Sequence, residues 1–363
     1  MKSSVKVSNM HDLAEYQRFL WKHPRLQFLF FELTDQCNLC CKHCGSSCTN
    51  KNNSFLPYAV IENTMREVAQ AYNPQEIMIC LTGGEPLLHP KLYRVIYMAR
   101  LLGFSVGMTS NGTLIDDDCA EKLAAAGLNS IAISIDGLEK EHDAFRRATG
   151  SFRKAMNGVH SLRKAGIEAQ AISVIHKENL HLLNEMYEFF RNDGFYSWRI
   201  VSIDPIGRAK DNSGLLLDAD ELKQLLEFIR TCRFDPNNTM DVTYGCSHFL
   251  TFEYENEVRD YYFQCGAGTK VGSIMANGDI GACLDIERRP ELIQGNIYRD
   301  SFLEVWNKKY QLFREDRTEK SEVCSECENR SFCLGDSAHT WDWNQNRPMY
   351  CVNCLCEGWD KGK

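Results

Sequence analysis

Short apolar runs alternate with amphipathic segments along the chain from about residue 28 onward. The amphipathic segments repeat apolar residues at helical spacing, as Ile61, Met65, Val68 and Tyr72 do after Pro57. This alternation predicts parallel strands joined by right-handed helical crossovers. The strands are predicted at residues 28–33, 76–81, 104–109, 130–135, 170–175 and 198–203. We therefore expect an α/β fold, a partial (β/α)6 TIM-like barrel followed by a small C-terminal cysteine-rich domain.

The alternating rhythm breaks in residues 232–264, and cysteines and turn residues become dense after Cys265. A segment this short and rich in cysteine can use metal binding as folding energy. The predicted division is an N-terminal extension (1–24), a core barrel (25–212), a bridging region (213–264), a cysteine-rich domain (265–356) and a tail (357–363).

Composition narrows the possible partners and the compartment. The 363 residues carry a formal net charge of -8, which argues against a nucleic-acid partner. No apolar run approaches the roughly eighteen residues of a membrane helix, so we expect no membrane association. The chain has 17 cysteines and opens without an apolar signal segment. These features favour metal-binding thiolates in a reducing cytoplasm over disulfides.

Cys37, Cys41 and Cys44 directly follow the first predicted strand. Three thiolates on a four-iron cluster leave one iron open to chelate a substrate or cofactor. Neither a bacterial-ferredoxin spacing nor a zinc finger fits this run well, because His43 stands where the ferredoxin spacing needs a cysteine. Cys37, Cys40 and Cys44 form an alternative triplet.

Polar motifs follow the next three predicted strands, at the barrel end where catalytic groups gather. Glycines at 83 and 84 allow close approach of the backbone to a ligand, and Glu85 offers a carboxylate to an ammonium group. Taken singly, each motif is typical of turns and caps. Together they predict a pocket for a zwitterionic ligand that also carries hydroxyls, with these further contacts: Asn111, Ser134 and Arg146.

The cysteine triplet followed by Gly83-Gly84-Glu85-Pro86 resembles the radical S-adenosylmethionine superfamily. The resemblance implies a [4Fe-4S] cluster whose open iron binds S-adenosylmethionine, and a 5'-deoxyadenosyl radical that abstracts a substrate hydrogen atom. It implies that His43 lies near the adenine and that Glu85 accepts the methionine ammonium. The resemblance also assigns the ribose and carboxylate contacts to Asn111, Ser134 and Arg146, and an adenine contact to Val174 or Ile175.

The cysteines after residue 264 suggest a further cluster or, alternatively, a zinc ribbon. Cys265-x12-Gly278-x4-Cys283 and Cys324-x2-Cys327-x5-Cys333 resemble the SPASM domain, which carries auxiliary iron-sulfur clusters. Ser337 stands where that family has a cysteine completing the first auxiliary cluster. The resemblance assigns a second auxiliary cluster to Cys324, Cys327, Cys333 and Cys351. The first would hold Cys265 and Cys283, and it either keeps an open iron, is absent, or takes further ligands from Cys246, Asp336, His339, Cys354 and Cys356.

The SPASM resemblance implies an oxidoreductase that matures a ribosomal peptide by a crosslink, a thioether or an epimerisation. Candidate catalytic groups are Asp285 and Glu287 as bases and Cys354, Cys356 or Cys246 as hydrogen donors. The expected partners are the peptide and a reductant such as flavodoxin or ferredoxin. Leader recognition is expected from a separate leader-binding protein or from the bridging region at 213–264. The alternatives are radical oxidation of a small molecule or of a sulfatase-type side chain, and a non-catalytic electron carrier.

Overall fold

The structure is a computed structural model that describes residues 4–246 and 248–356, and it contains the predicted alternation of strands and helices. The strands are β1 (Phe28–Glu32), β2 (Met78–Thr82), β3 (Ser105–Ser110), β4 (Ser130–Ser134), β5 (Ala169–Ile175), β6 (Ser197–Ser202), β7 (Asp241–Tyr244), β8 (Val271–Ile274), β9 (Asp279–Gly281), β10 (Gly295–Asn296), β11 (Trp341–Asp342) and β12 (Arg347–Pro348). The α-helices are α1 (Ser4–Lys22), α2 (Tyr58–Ala71), α3 (Leu92–Leu101), α4 (Asp117–Ala126), α5 (Glu139–Arg146), α6 (Ser151–Lys164), α7 (Leu183–Asp193), α8 (Ala219–Phe234), α9 (Thr251–Tyr254), α10 (Phe302–Lys308), α11 (Glu322–Ser325), α12 (Arg330–Cys333) and α13 (Val352–Cys356).

The six predicted strands form as β1 to β6 and lie in chain order in one sheet, each parallel to the next. The α/β architecture with a parallel strand-helix core is thus confirmed. The sheet is larger than the predicted six strands, since its full order is β10-β9-β8-β1-β2-β3-β4-β5-β6-β7.

Backbone pairing runs across the predicted domain boundaries. The bridging region supplies β7, which is parallel to β6, and the cysteine-rich segment supplies β8, which is parallel to β1. Phe28 thus pairs with Met78 on one side and with Val271 on the other. Because β8 satisfies backbone groups that an edge strand would leave open, the cysteine-rich segment continues the sheet of the barrel.

Local sequence signals explain where the helices begin and end. The Asp116 side chain caps α4 by accepting a hydrogen bond from the Cys119 amide, and Gly127 ends that helix with φ +88°. Asp218 and Glu221 form a reciprocal capping box at the start of α8. The apolar faces of these helices bury against the sheet, so their stripes form the core as the periodicity predicts.

Helix α1 of the N-terminal extension packs beside the C-terminal segment. Its Met10 is buried with Phe249 and Phe263, and Arg18 donates a 3.1 Å hydrogen bond to the Ser331 carbonyl. In the described part of the chain, every helix is too short or too polar to span a bilayer.

Candidate active site

The three cysteines of the predicted triplet lie together on the loop that follows β1. Cys37, Cys41 and Cys48 form a buried cluster with Leu39, and Cys44 packs against it. The pKa of Cys37 is raised to about 12, mainly by burial, with smaller contributions from the Glu85 carboxylate and the Cys41 and Cys44 thiols. The structure thus brings the predicted triplet together, while its role as the ligand set stays a prediction.

Cys48 is a neighbour that the sequence motif did not assign to the site. A hydrogen bond from the Cys48 thiol lowers the pKa of Cys44 to about 6, against the opposing effect of burial. A thiolate is the form of cysteine that binds metal, so this contact prepares Cys44 for coordination.

Arg208 fixes the cysteine loop from the segment that follows β6. Its side chain donates to the carbonyls of Cys41 (2.7 Å) and Cys48 (3.0 Å), and its amide donates to the Cys44 carbonyl at 3.1 Å. The preceding Gly207 has φ +51°, and a Cβ there would lie 2.3 Å from the Cys44 carbonyl oxygen. The sequence did not reveal Arg208, because it lies 167 residues from Cys41.

The glycines at 83 and 84 make a close backbone contact. The Gly84 amide donates to the Thr34 carbonyl at 2.7 Å, and the Glu85 amide donates to the Gln36 carbonyl at 2.9 Å. A Cβ on Gly84 would lie 2.1 Å from the Gln36 oxygen. The sequence predicted close approach to a ligand; in the structure the close approach is to the polypeptide that leads into the cysteine loop. Contact of Gly83 and Gly84 with a cofactor stays a prediction.

Glu85 is fully buried and accepts three hydrogen bonds. Its carboxylate accepts from the Ser110 hydroxyl at 2.8 Å, from the Leu87 amide at 3.2 Å and from the Asn111 amide at 2.9 Å. Burial raises the pKa of Glu85, and these donors oppose the shift. The carboxylate thus orients the start of the Asn111 turn, and its predicted contact with an ammonium group stays a prediction.

Asn111 faces the cysteine loop. Its side-chain amide donates to Asn38 Oδ1 at 2.9 Å and lies 4.0 Å from Cys37 Sγ. Ser134 ends β4 and is partly buried. Their predicted ribose contacts stay predictions.

Arg146 forms a buried ion pair. Its Nε donates to Asp136 Oδ2 at 2.7 Å, while Asp136 Oδ1 accepts the amide of Val174 at 2.8 Å. Burial raises the pKa of Cys41, and the guanidinium groups of Arg146 and Arg208 oppose this shift. Asp136 therefore joins two predicted cofactor contacts, Arg146 and Val174, although no role was predicted for Asp136 itself.

Three flat rings stack next to the cysteine loop. The rings of His43 and Phe145 are parallel with centroids 4.5 Å apart, and those of Phe145 and His176 are 4.0 Å apart. Burial lowers the pKa of His43 to about 3 and that of His176 to about 4, so both imidazoles are neutral. His43 can thus act as an aromatic surface, as the resemblance implies, and Phe145 and His176 are its unpredicted supports.

Cys265 and Cys283 lie near each other, and the backbone next to Ser337 contacts Cys265. The Ala338 amide donates to Cys265 Sγ at 3.5 Å. Burial raises the pKa of Cys283, with further contributions from Asp285 and Cys265. Ser337, where the family pattern has a cysteine, is buried and directly precedes the Ala338 amide that contacts Cys265.

The two candidate bases lie in different environments. Asp285 Oδ2 is 3.9 Å from Cys283 Sγ, and its Oδ1 is 3.9 Å from where a Cβ on Gly45 would lie. Asp285 therefore lies between Cys283 and the cysteine loop. Glu287 instead pairs with Lys210 at 2.9 Å in a half-exposed position.

Five thiols gather in the C-terminal segment. Neighbouring thiols shift the pKa values of Cys324, Cys333 and Cys351 upward, together with burial. The thiols involved are Cys324, Cys327, Cys333, Cys351 and Cys354. The predicted second set is thus brought together with Cys354 beside it, and the side chain of Cys356 lies outside the described residues.

Cys246 lies apart from these thiols. It is buried, and its Sγ accepts a 3.2 Å hydrogen bond from the Ser202 amide. Its candidate roles as a cluster ligand and as a hydrogen donor stay predictions.

The donor set on the first loop fits an iron-sulfur cluster. Three thiols share one loop, and Arg146 and Arg208 favour negative charge on Cys41. The C-terminal thiols likewise form a sulfur-rich set, and none of the described cysteines is in a disulfide.

Comparison with known proteins agrees with this geometry. The family model of the radical SAM superfamily matches residues 31–190, and that of the SPASM iron-sulfur cluster-binding domain matches residues 265–328. The AdoMet-dependent heme synthase of Nitratidesulfovibrio vulgaris is 28% identical over 88% of this chain and 89% of its own. The mycofactocin maturase MftC of Mycobacterium tuberculosis is 30% identical over 85% of this chain and 77% of its own.

Two solved structures of one protein support the same fold. Streptococcus suis SuiB bound to S-adenosylmethionine has a TM-score of 0.74 at 18% identity, covering 93% of this chain and 80% of that one. SuiB bound to the precursor peptide SuiA has a TM-score of 0.72 at 19% identity, covering 93% of this chain and 78% of that one. The chain therefore belongs to the radical SAM superfamily, as an enzyme with a C-terminal SPASM domain that uses S-adenosylmethionine and iron-sulfur clusters.

Proposed function

We propose that this radical SAM enzyme modifies a ribosomal peptide by crosslinking, thioether formation or epimerisation. The observation that carries the proposal is the 30% identity to a mycofactocin maturase over 85% of the chain. The fold shared with SuiB, which has been solved with a precursor peptide, is consistent with it. The proposal includes a reductant such as flavodoxin or ferredoxin, a separate leader-binding protein and a cytoplasmic location.

The residues of the first loop have distinct roles in this proposal. Cys37, Cys41 and Cys44 hold the cluster, and Arg208 keeps their loop in one conformation through its backbone contacts. His43 presents its neutral ring to the adenine, supported by the stacked Phe145. When bound, the cluster and S-adenosylmethionine supply the radical that removes a substrate hydrogen atom.

The C-terminal thiols provide a route for an electron. Oxidative modification leaves an electron to remove from the substrate, and an iron-sulfur cluster at nearby cysteines is suited to accept it. Asp285 lies between Cys283 and the Cys44–Gly45 turn. This position, between the two proposed clusters, supports contact of Asp285 with the substrate. We propose that its carboxylate accepts the proton that leaves the substrate.

A second candidate is radical oxidation of a small molecule. The heme synthase relatives favour it, because they match 86–91% of this chain at 28% identity. In that case the substrate would be a precursor of heme rather than a peptide.

The activity is tested with protein that is purified and reconstituted without oxygen. After reduction with dithionite, 5'-deoxyadenosine formation from S-adenosylmethionine is measured by chromatography. Candidate peptides encoded beside the gene and precursors of heme are then supplied separately, and products are analysed by mass spectrometry. The Cys37→Ala variant is the control for each reaction.

The outcomes separate the two candidates. A peptide that loses hydrogen mass, or that takes up deuterium from heavy water, supports peptide maturation. Conversion of the heme precursor alone replaces the peptide proposal with the second candidate. A fully loaded protein that forms no 5'-deoxyadenosine would contradict both.

A further inference from the structure

A buried group of two histidines and two carboxylates joins the barrel to the cysteine-rich segment. Asp204 follows β6, His248 follows β7, and His339 lies in the short 3-10 turn Ala338–Thr340. The nearest ligand atoms of Asp204, His248 and His339 all lie within 4.8 Å of one another. Three loops far apart in sequence thus converge on one point.

The distances suit coordination of one ion. His248 Nε2 lies 2.9 Å from Asp204 Oδ1, and His339 Nε2 lies 3.0 Å from Asp204 Oδ2. Ligand atoms about 2.0–2.1 Å from a tetrahedral zinc ion are about 3.4 Å apart, so each pair needs to separate by only about 0.5 Å to admit the ion. Both histidines direct Nε2 toward the same carboxylate, each within about 0.5 Å of the spacing of neighbouring ligands.

Asp336 supplies the outer contact that metal-binding histidines usually have. Its Oδ2 lies 3.2 Å from His248 Nδ1, the nitrogen opposite the one facing Asp204. Asp336 Oδ1 in turn accepts the Phe249 amide at 2.9 Å. Arg259 donates to the His248 carbonyl at 2.7 Å, so the His248 loop is held on both sides.

We propose that Asp204, His248 and His339 bind one divalent transition-metal ion, with Asp336 orienting His248. Two imidazoles and one carboxylate are a donor set suited to zinc or iron(II), and this set contains no sulfur. Asp336 and His339 flank the backbone that contacts Cys265, and the proposal assigns them to this ion instead of to the first auxiliary cluster. The proposal does not depend on the proposed substrate.

Further ligands have access from one side. His248 is fully buried, whereas the side chains of Asp204 and His339 are 10% and 14% exposed. Because three protein ligands leave at least one position open, water or a substrate carboxylate can complete the coordination on the His339 side.

The competing explanation is a hydrogen-bonded network without metal. Burial disfavours a charged His248, but the carboxylates of Asp204 and Asp336 outweigh it and hold its pKa well above the usual range. In that network a proton shared with Asp204 occupies the position that we assign to the ion.

The test uses the cluster-loaded protein, incubated without oxygen with zinc sulfate and then dialysed. Zinc and iron are counted by mass spectrometry, and the zinc K-edge absorption spectrum gives the ligands. We expect one zinc per chain with nitrogen and oxygen at about 2.0–2.1 Å and no sulfur at about 2.3 Å. Iron does not contribute at this edge, so the clusters do not obscure the result.

Variants locate the ion. Asp204→Asn and His339→Gln should each remove the zinc and leave the iron count unchanged, while Asp336→Asn should weaken zinc binding roughly 10- to 100-fold. His160→Gln is the matched control, because His160 also contacts a carboxylate, Asp193 at 2.8 Å, but on the surface. It should keep the zinc.

Three results would overturn the proposal: a wild-type protein without zinc after dialysis, a zinc spectrum dominated by sulfur, or full retention of zinc by Asp204→Asn. The wild-type spectrum decides the ligand type without any variant. Loss of iron as well as zinc from His339→Gln would also overturn the proposal, because His339 would then be a ligand of the first auxiliary cluster.

Discussion

Replacing Gly84 by alanine should displace the cysteine loop. The added Cβ would lie 2.1 Å from the Gln36 oxygen, 2.5 Å from the Gln36 carbonyl carbon and 2.9 Å from the Cys37 nitrogen. These are backbone atoms, which cannot rotate away as a side chain does. Relief to an ordinary contact requires the two segments to separate by more than about 1 Å.

That separation breaks two backbone hydrogen bonds, from the Gly84 amide to Thr34 (2.7 Å) and from the Glu85 amide to Gln36 (2.9 Å). Each contributes about 1 kcal/mol to the free energy of unfolding. Overpacking adds about 1–3 kcal/mol, so the total loss of stability is about 3–5 kcal/mol. Because Cys37 directly follows Gln36, the displacement also moves a predicted cluster ligand.

The assay compares iron content, cluster absorbance and 5'-deoxyadenosine formation in the wild type and the Gly84→Ala variant. Denaturant unfolding of both proteins gives the change in stability. The matched control is Gly214→Ala, because a Cβ at Gly214 meets nothing within 4 Å. We expect the control to stay within about 0.5 kcal/mol of the wild type.

Gly84→Ala should lose most of its iron and its cleavage activity. If this variant keeps wild-type iron content and unfolds within about 1 kcal/mol of the wild type, the backbone contact does not position the loop, and the reasoning is wrong.

Three further predictions concern the same loop and the core. Cys41→Ala should abolish cleavage of S-adenosylmethionine while Cys40→Ala retains it, as measured by 5'-deoxyadenosine; the reverse would favour the alternative triplet. Arg208→Lys should lower iron content, because lysine cannot contact the Cys41 and Cys48 carbonyls simultaneously; an unchanged iron count would refute this role. Arg259→Ala should lower the free energy of unfolding by about 3–5 kcal/mol, measured with denaturant. The substitution leaves the fully buried Glu255 carboxylate without the guanidinium that lies 2.6 Å from it. Arg230→Ala, which removes the partly exposed ion pair with Glu227, should lower this free energy by at most about 1 kcal/mol. Equal losses of stability in the Arg259 and Arg230 variants would contradict the argument.

The parallel strands were predictable because their signal is local. Each of β1 to β6 is a short apolar run followed by a helix whose apolar stripe and caps lie within a few residues. The additional strands β7 and β8 were missed. They are short, at residues Asp241–Tyr244 and Val271–Ile274, and they form by pairing with strands distant in the sequence.

The candidate site likewise has a part that is predictable from short sequence patterns and a part that depends on distant residues. The cysteine spacing and the turn motifs after the strands predict Cys37, Glu85, Asn111 and Arg146 as site residues, because each belongs to a short recognisable pattern. Their hydrogen-bond partners were not predictable. Glu85, for example, is fully engaged by Ser110 and backbone amides, which no local pattern indicates.

By itself, the sequence determined the strand-helix alternation, the triplet of thiols and the cysteine-rich segment, because periodicity and spacing act over short stretches of chain. Only the tertiary structure decided which distant groups meet. The fold brings Arg208 into contact with the cysteine loop, Asp285 close to Cys283, and Asp204 between His248 and His339. The physical reason is that the energies of these contacts depend on distance in space, which residue spacing along the chain does not specify.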